Sequence, residues 1–175
     1  MQVLLLGGYS ARNKPWIYEV ADALEPLAEQ RVVHEYAHWN DESKSLDAEA
    51  ELTAIADEAQ NLAEYVVFAK SVGCLLAVEG MHRGLLAPQA CVFAGLPLDT
   101  AVRERGEAFA RQIAAVNCPL VFVQNSDDPL GSYKDVKAYL EHAGAVRAMA
   151  VELPGETHDY SDTATLKTIV RGVLQ

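Results

Sequence analysis

Tyr65-Val66-Val67-Phe68-Ala69-Lys70-Ser71-Val72-Gly73-Cys74-Leu75-Leu76-Ala77-Val78-Glu79 passes from one kind of secondary structure to another with almost no loop between them. Tyr65 to Ala69 is a short apolar run rich in β-branched and aromatic residues, the composition of a buried strand. Gly73 to Glu79 is apolar all round, which reads as a buried helix ending near Gly80 or Gly84. Strand and helix meet within Lys70-Ser71-Val72. A reversal that sharp needs small residues where the two backbones cross, and Ala69 and Gly73 stand two before and two after Ser71.

The same alternation repeats outward from this unit. Upstream, residues 2–6 form a first strand and Pro15 opens a helix whose apolar set is Ile17, Val20, Ala21, Leu24, Leu27 and Ala28; Pro26 ends or kinks it near Glu25. Arg31 to Tyr36 is a second strand, followed by a polar loop over 40–47 and an acidic, alanine-rich helix over roughly 48–63. Downstream come a strand over Ala90–Gly95, a helix over 100–116, a strand over Pro119–Gln124, and a helix from the N-cap Ser132 to Gly144. A sixth strand spans Val146–Leu153, and a closing helix over 161–173 is capped by Ser161, with Leu166, Ile169, Val170 and Val173 as its buried stripe. Regular strand-helix alternation predicts one α/β domain over residues 1–175: a three-layer α/β/α sandwich around a mostly parallel six-stranded sheet, with ligands bound at the carboxyl ends of the strands.

Composition narrows the partners. The chain has 175 residues, half of them hydrophobic, enough for one well-buried core and too few to suggest two ordinary domains. A formal charge of −11 opposes binding to phosphate backbones or anionic lipid, so neither nucleic acid nor a membrane is an expected partner. Met1 leads directly into Gln2-Val3-Leu4-Leu5-Leu6-Gly7-Gly8, which reads as a buried strand and not as a signal peptide. Cys74, Cys91 and Cys118 are odd in number and each lies in apolar sequence; a reducing cytoplasm fits them better than a disulfide framework or a zinc site. The composition leaves the oligomeric state open.

The residues that carry chemistry fall in the strand-to-helix loops. Ser71 lies in Ala69-Lys70-Ser71-Val72-Gly73, one substitution from the Gly-x-Ser-x-Gly nucleophile elbow, in which a tight turn exposes the serine hydroxyl at the top of a sheet. Serine also favours the N-cap of a helix, so capping alone is the competing reading. Asp128 follows the fifth strand in Asn125-Ser126-Asp127-Asp128-Pro129, where a carboxylate can orient an imidazole; Asp127 is the alternative acid, and an ordinary Asp-Pro turn the plainer reading. His158 lies in the loop after the last strand, placed to reach toward Ser71 as a general base. An oxyanion hole would draw on the Val72 N–H and one N–H of the first loop, Gly7-Gly8-Tyr9-Ser10-Ala11-Arg12, with Tyr9 the candidate. No phosphate-loop pattern is present there.

Leu4-Leu5-Leu6-Gly7-Gly8-Tyr9, Trp16, Ala69-Lys70-Ser71-Val72-Gly73, Asp128-Pro129 and Pro154-Gly155-x-x-His158 together resemble the small, lidless branch of the α/β-hydrolase superfamily, over nearly the whole chain. The resemblance implies a serine-hydrolase mechanism with Ser71 as nucleophile, His158 as base and Asp128 as its orienter, without a cofactor or metal, acting on a small ester or thioester. Three departures accompany it: Gly7 stands where many members have histidine, Ala69 replaces glycine, and the family's first two strands have no counterpart. The segment between Gly95 and Pro119 holds one helix and no cap domain, which implies an open site. Two other functions compete: a catalytically idle domain of the same fold serving as a binding module, and a flavodoxin-like binder, which leaves the placement of Ser71, Asp128 and His158 unexplained. His34 and His38 suit a metal pair only on a helix, Trp16 and Trp39 read as core or rim, the acidic stretch Asp47–Glu64 reads as a solvated helix face, and Cys74 and Cys118 read as small buried hydrophobes.

Overall fold

The structure, a computed structural model, describes residues 1–41 and 43–174. Six strands, β1 (Gln2–Leu6), β2 (Gln30–His34), β3 (Tyr65–Lys70), β4 (Ala90–Ala94), β5 (Leu120–Asn125) and β6 (Ala148–Leu153), form one sheet in the order β2-β1-β3-β4-β5-β6, with every neighbouring pair parallel. A parallel sheet needs both faces covered, which is why β3, β4 and β5 are apolar at nearly every position and buried at every residue. The edge strands β2 and β6 are only partly buried.

Helices α1 (Asn13–Ala23) and α7 (Thr163–Val173) pack together on one face. The other carries α2 (Ala48–Gln60), α3 (Val72–His82), α5 (Glu107–Ala114) and α6 (Tyr133–Ala143). Between the faces lies one core, including the fully buried Phe68, Phe93, Phe109 and Phe122, each contributing roughly 1.5–3 kcal/mol of burial free energy. The chain runs from β1 outward to β2, then returns past β1 to lay down β3 and the remaining strands in turn. The strand order therefore reverses between β1 and β3, and the crevice at their carboxyl ends is where this architecture receives ligands. The first loop, residues 7–12, and Ser71 both stand at that switch point.

Several boundaries differ from the sequence reading. The helix expected over 100–116 is two helices, α4 (Leu98–Arg105) and α5, because Gly106 adopts φ 49° and ψ −135° and breaks the ladder. The second strand ends at His34; Tyr36 leaves the sheet to donate its hydroxyl to the Gly7 carbonyl at 3.0 Å. The last strand begins at Ala148, Val146 being 91% exposed. Helix α1 begins at Asn13, two residues before Pro15, and gives way after Ala23 to a 3-10 turn over Glu25–Leu27 that takes in Pro26. Helix α2 ends at Gln60, and α7 is capped by Asp162, whose carboxylate accepts from Thr165 N at 3.0 Å, rather than by Ser161. Nor is the acidic helix wholly solvated. Glu51 is buried, accepting from Ala37 N and bonded to His34, while Glu58 takes the other nitrogen of the same ring.

Candidate active site

Ser71 has φ 54° and ψ −120°, and among the described residues no other non-glycine has a positive φ. A side chain held there costs on the order of 1–3 kcal/mol and persists only where its surroundings fix the backbone. Here both flanks do so. The Ser71 N–H donates to the Ala94 carbonyl at 3.2 Å, tying the turn to the end of β4, and the Ser71 carbonyl accepts from Cys74 N at 2.9 Å as α3 begins. Ser71 occupies the N-cap position of α3, yet its side chain accepts no capping hydrogen bond. Capping therefore does not account for the hydroxyl. Gly73 is required by contact: a Cβ there would lie 2.7 Å from the Leu6 carbonyl oxygen and 2.8 Å from that of Gly7, so the first turn of α3 sits directly on the first loop.

Asp128 and His158 come together from the ends of β5 and β6. The Asp128 side chain is fully buried, and the His158 ring places Nδ1 2.8 and 3.0 Å from its two carboxylate oxygens. A carboxylate only accepts, so Nδ1 is the donor to Asp128, and in the neutral ring Nε2 is then the acceptor. Asp128 also accepts from the Tyr160 hydroxyl at 2.7 Å and from Leu130 N at 2.9 Å. Asp127 is exposed and touches the same loop only through its own N–H, which donates to the Gly155 carbonyl. Asn125 pins the histidine loop on both sides, its amide donating to the Thr157 and Asp159 carbonyls at 2.8 and 3.1 Å.

Gly95, at φ 64°, follows directly on Ala94, the partner of Ser71. A Cβ at 95 would lie 2.6 Å from the Tyr160 ring and 3.0 Å from His158 Cε1. Ser71 and His158 therefore flank the same strand end. His158 Nε2 is buried and has no hydrogen-bond partner, so the Ser71 hydroxyl stands outside hydrogen-bond geometry. Apo sites of this kind are often loose.

The first loop is held by residues that the sequence reading set aside. The Tyr9 carbonyl accepts from His38 Nε2 at 2.6 Å and from Trp39 Nε1 at 3.1 Å, and the Tyr9 ring stacks on that of His38. Trp39 also accounts for the glycine at position 7. A Cβ at position 7 would meet its ring at 2.6 Å, leaving no room for histidine. Among the described residues, neither the Tyr9 N–H nor the Val72 N–H donates to a protein acceptor. The signal for this role of Trp39 and His38 was present in composition, as polar-tipped rings just after a strand, but nothing in their spacing pointed back to residue 9.

No family model and no curated protein matches this sequence. The backbone does match solved structures. The thioesterase domain of the curacin biosynthetic pathway superposes with a TM-score of 0.70 at 13% identity, covering 97% of this chain and 90% of that one. The Est1E protein of Butyrivibrio proteoclasticus, solved with ferulic acid, gives 0.70 at 14% identity over 98% and 86% of the two chains. Acyl-protein thioesterase 2 of Zea mays gives 0.63 at 13% identity over 99% and 94%. The fold is that of the α/β-hydrolases. It is a minimal version, in which the stretch between β4 and β5 carries only α4 and α5 and no cap domain is found among the described residues.

In this α/β-hydrolase fold the switch-point crevice opens as a cleft of about 580 Å³, bordered by Arg12, Trp16, Lys70, His158 and Asp159. Lys70, the residue before Ser71, is 4% exposed. Its Nζ donates to Asn13 Oδ1 at 2.9 Å and lies 5.5 Å from the centre of the Trp16 ring. Burial lowers its pKa from the ordinary lysine value. Trp16 is half-buried, with Nε1 donating to the Tyr160 carbonyl at 2.8 Å, which ties α1 to the histidine loop. Among the described residues no group of three or more His, Cys, Asp or Glu side chains is arranged to hold a metal ion.

Proposed function

We propose that this protein is a serine hydrolase that cleaves a small ester or thioester through an acyl-enzyme. Ser71 Oγ attacks the carbonyl carbon while its proton passes to His158 Nε2. The Tyr9 and Val72 N–H groups receive the oxyanion of the tetrahedral intermediate. The protonated imidazole, oriented and stabilised by Asp128, then returns the proton to the departing alkoxide or thiolate. Water repeats the sequence in reverse and frees the acid. The observation that carries this reading is the conjunction at one strand end: a serine in a strained backbone conformation whose hydroxyl caps nothing, beside an imidazole with one nitrogen on a buried carboxylate and the other buried without a partner. A flavodoxin-like binder has no use for that arrangement.

The esterase and thioesterase names of the structural neighbours support the substrate class. Cys74 and Cys91 are buried and Cys118 half-buried, all three free, which supports placement in a reducing cytoplasm. No helix among the described residues is long and apolar enough to cross a membrane. The test is labelling of the pure protein with a fluorophosphonate probe and mapping of the adduct by peptide mass spectrometry. Labelling of Ser71, lost in His158→Ala, is expected. Labelling elsewhere, or none, favours a catalytically idle binding module.

A further inference from the structure

Lys70 is a charged side chain that is almost wholly buried at the edge of the cleft. At 4% exposure its Nζ has three donors and, among the described residues, one hydrogen-bond acceptor, Asn13 Oδ1, and no ion-pair partner. Asn13 is itself built into position. Its Nδ2 donates to the Ser10 carbonyl at 2.9 Å, which aims Oδ1 at the lysine. Gly8 leaves the carboxamide room, since a Cβ there would meet it at 2.9–3.0 Å. A second cation, Arg12, is exposed on the same cleft and likewise pairs with no carboxylate, and the first turn of α1 beside it carries no acidic side chain. The cleft has one acid among its lining residues, Asp159, whose charge and that of Asp128 act on Lys70 from a distance without forming an ion pair. In a chain with a formal charge of −11, two cations without an ion-pair partner on the cleft that His158 also lines are a local reversal of sign.

A buried ammonium is costly unless something pairs with it, and a ligand carboxylate entering this cleft would supply a second acceptor. We propose that Lys70, with Arg12 at the mouth, forms a subsite for a carboxylate, and that the substrate is an ester or thioester bearing a free carboxylate near its scissile bond. The substrate half of this inference rests on the hydrolase reading of Ser71. The anion subsite itself does not.

Two substrate pairs test which side of the bond carries the charge. The acyl side is compared with p-nitrophenyl hemiglutarate against p-nitrophenyl pentanoate. The leaving-group side is compared with 4-carboxyphenyl butyrate against 4-carbamoylphenyl butyrate. One of the two anionic esters should be preferred in kcat/KM, and Lys70→Met, which keeps the volume and removes the charge, should lower that preference about tenfold to a hundredfold, mainly through KM. Arg12→Ala, on the surface and harmless to folding, should lower it less and make it insensitive to salt. Calorimetric titration of glutarate into Ser71→Ala reads the subsite without chemistry, and binding there should be lost with Lys70→Met added. Glutarate binding without hydrolysis of any ester would retain the subsite and refute the hydrolase. Equal turnover of charged and neutral esters, with no glutarate binding, would overturn the subsite and leave the hydrolase standing.

Discussion

Gly73→Ala should damage both stability and the site, and the geometry fixes how. The added methyl would stand 2.7 and 2.8 Å from two backbone oxygens, those of Leu6 and Gly7, and 2.9 Å from Leu6 Cβ, whereas ordinary contact begins at 3.4 Å. Backbone at the end of a central strand cannot swing aside as a flexible side chain can, so α3 must move away from β1 by up to about 0.7 Å. Overpacking of this kind costs about 1–3 kcal/mol, against an intrinsic gain of up to about 1 kcal/mol when alanine replaces glycine in a helix. A net loss of up to about 2 kcal/mol is expected. Because Val72 and Ser71 open the same helix, they move with it, and a displacement approaching 1 Å at a reacting centre can cost on the order of 10²-fold. Urea unfolding and the rate of fluorophosphonate labelling measure the two effects. Gly172→Ala in α7 is the control, because a Cβ there meets nothing within 4 Å and the helix gain of roughly 1 kcal/mol should appear alone. A Gly73→Ala protein as stable as the parent and labelled at the parent rate would refute the close packing of α3 on the first loop and the positioning argument with it.

Asp128→Asn should lower ester turnover by on the order of 10⁴, as loss of the orienting carboxylate does in the reference triad, while Asp127→Asn should do far less; steady-state kinetics decides, and the reverse ranking would move the acid to Asp127. Tyr160→Phe removes a donor from Asp128 and the hydroxyl that accepts from Asn125 N at 3.0 Å, so it should cost about 1–3 kcal/mol in urea unfolding and slow labelling of Ser71. His34 gives the pH dependence. Burial alone would lower its pKa, but hydrogen bonds and charge from Glu58 and Glu51 outweigh burial and raise it. Its stabilisation is therefore fully present below the unfolded value of about 6.5 and is lost as pH rises through the higher folded value. The urea midpoint should fall over that range in the parent and less steeply in His34→Gln.

The elbow was legible in the sequence because its demands are local. Strand, turn and helix follow within a few residues, and Ala69 and Gly73 mark the crossing of backbones. The sequence places Asp128 and His158 after successive strands, and the fold brings that pair together: the Asp128 carboxylate is buried against the imidazole while Asp127 faces solvent. The break at Gly106 was hidden because apolar residues recur at helical spacing on both sides of it. The contacts of His34 with Glu51 and Glu58, of Trp39 and His38 with Tyr9, and of Lys70 with Asn13 join residues 17 to 57 positions apart. No local pattern encodes such pairings, so Trp39 read as packing, His34 and His38 only as an unsuited metal pair and the acidic helix as solvated, and a buried lysine passed unnoticed beside the serine.

Hydrolysis through Ser71 requires a covalent acyl intermediate there, and intact-mass spectrometry of the protein quenched during turnover of p-nitrophenyl butyrate detects it. A species heavier by one butyryl group is expected, located on Ser71 by peptide fragmentation and absent from Ser71→Ala. Turnover that persists in Ser71→Ala, or an acyl group found only on another residue, would contradict it.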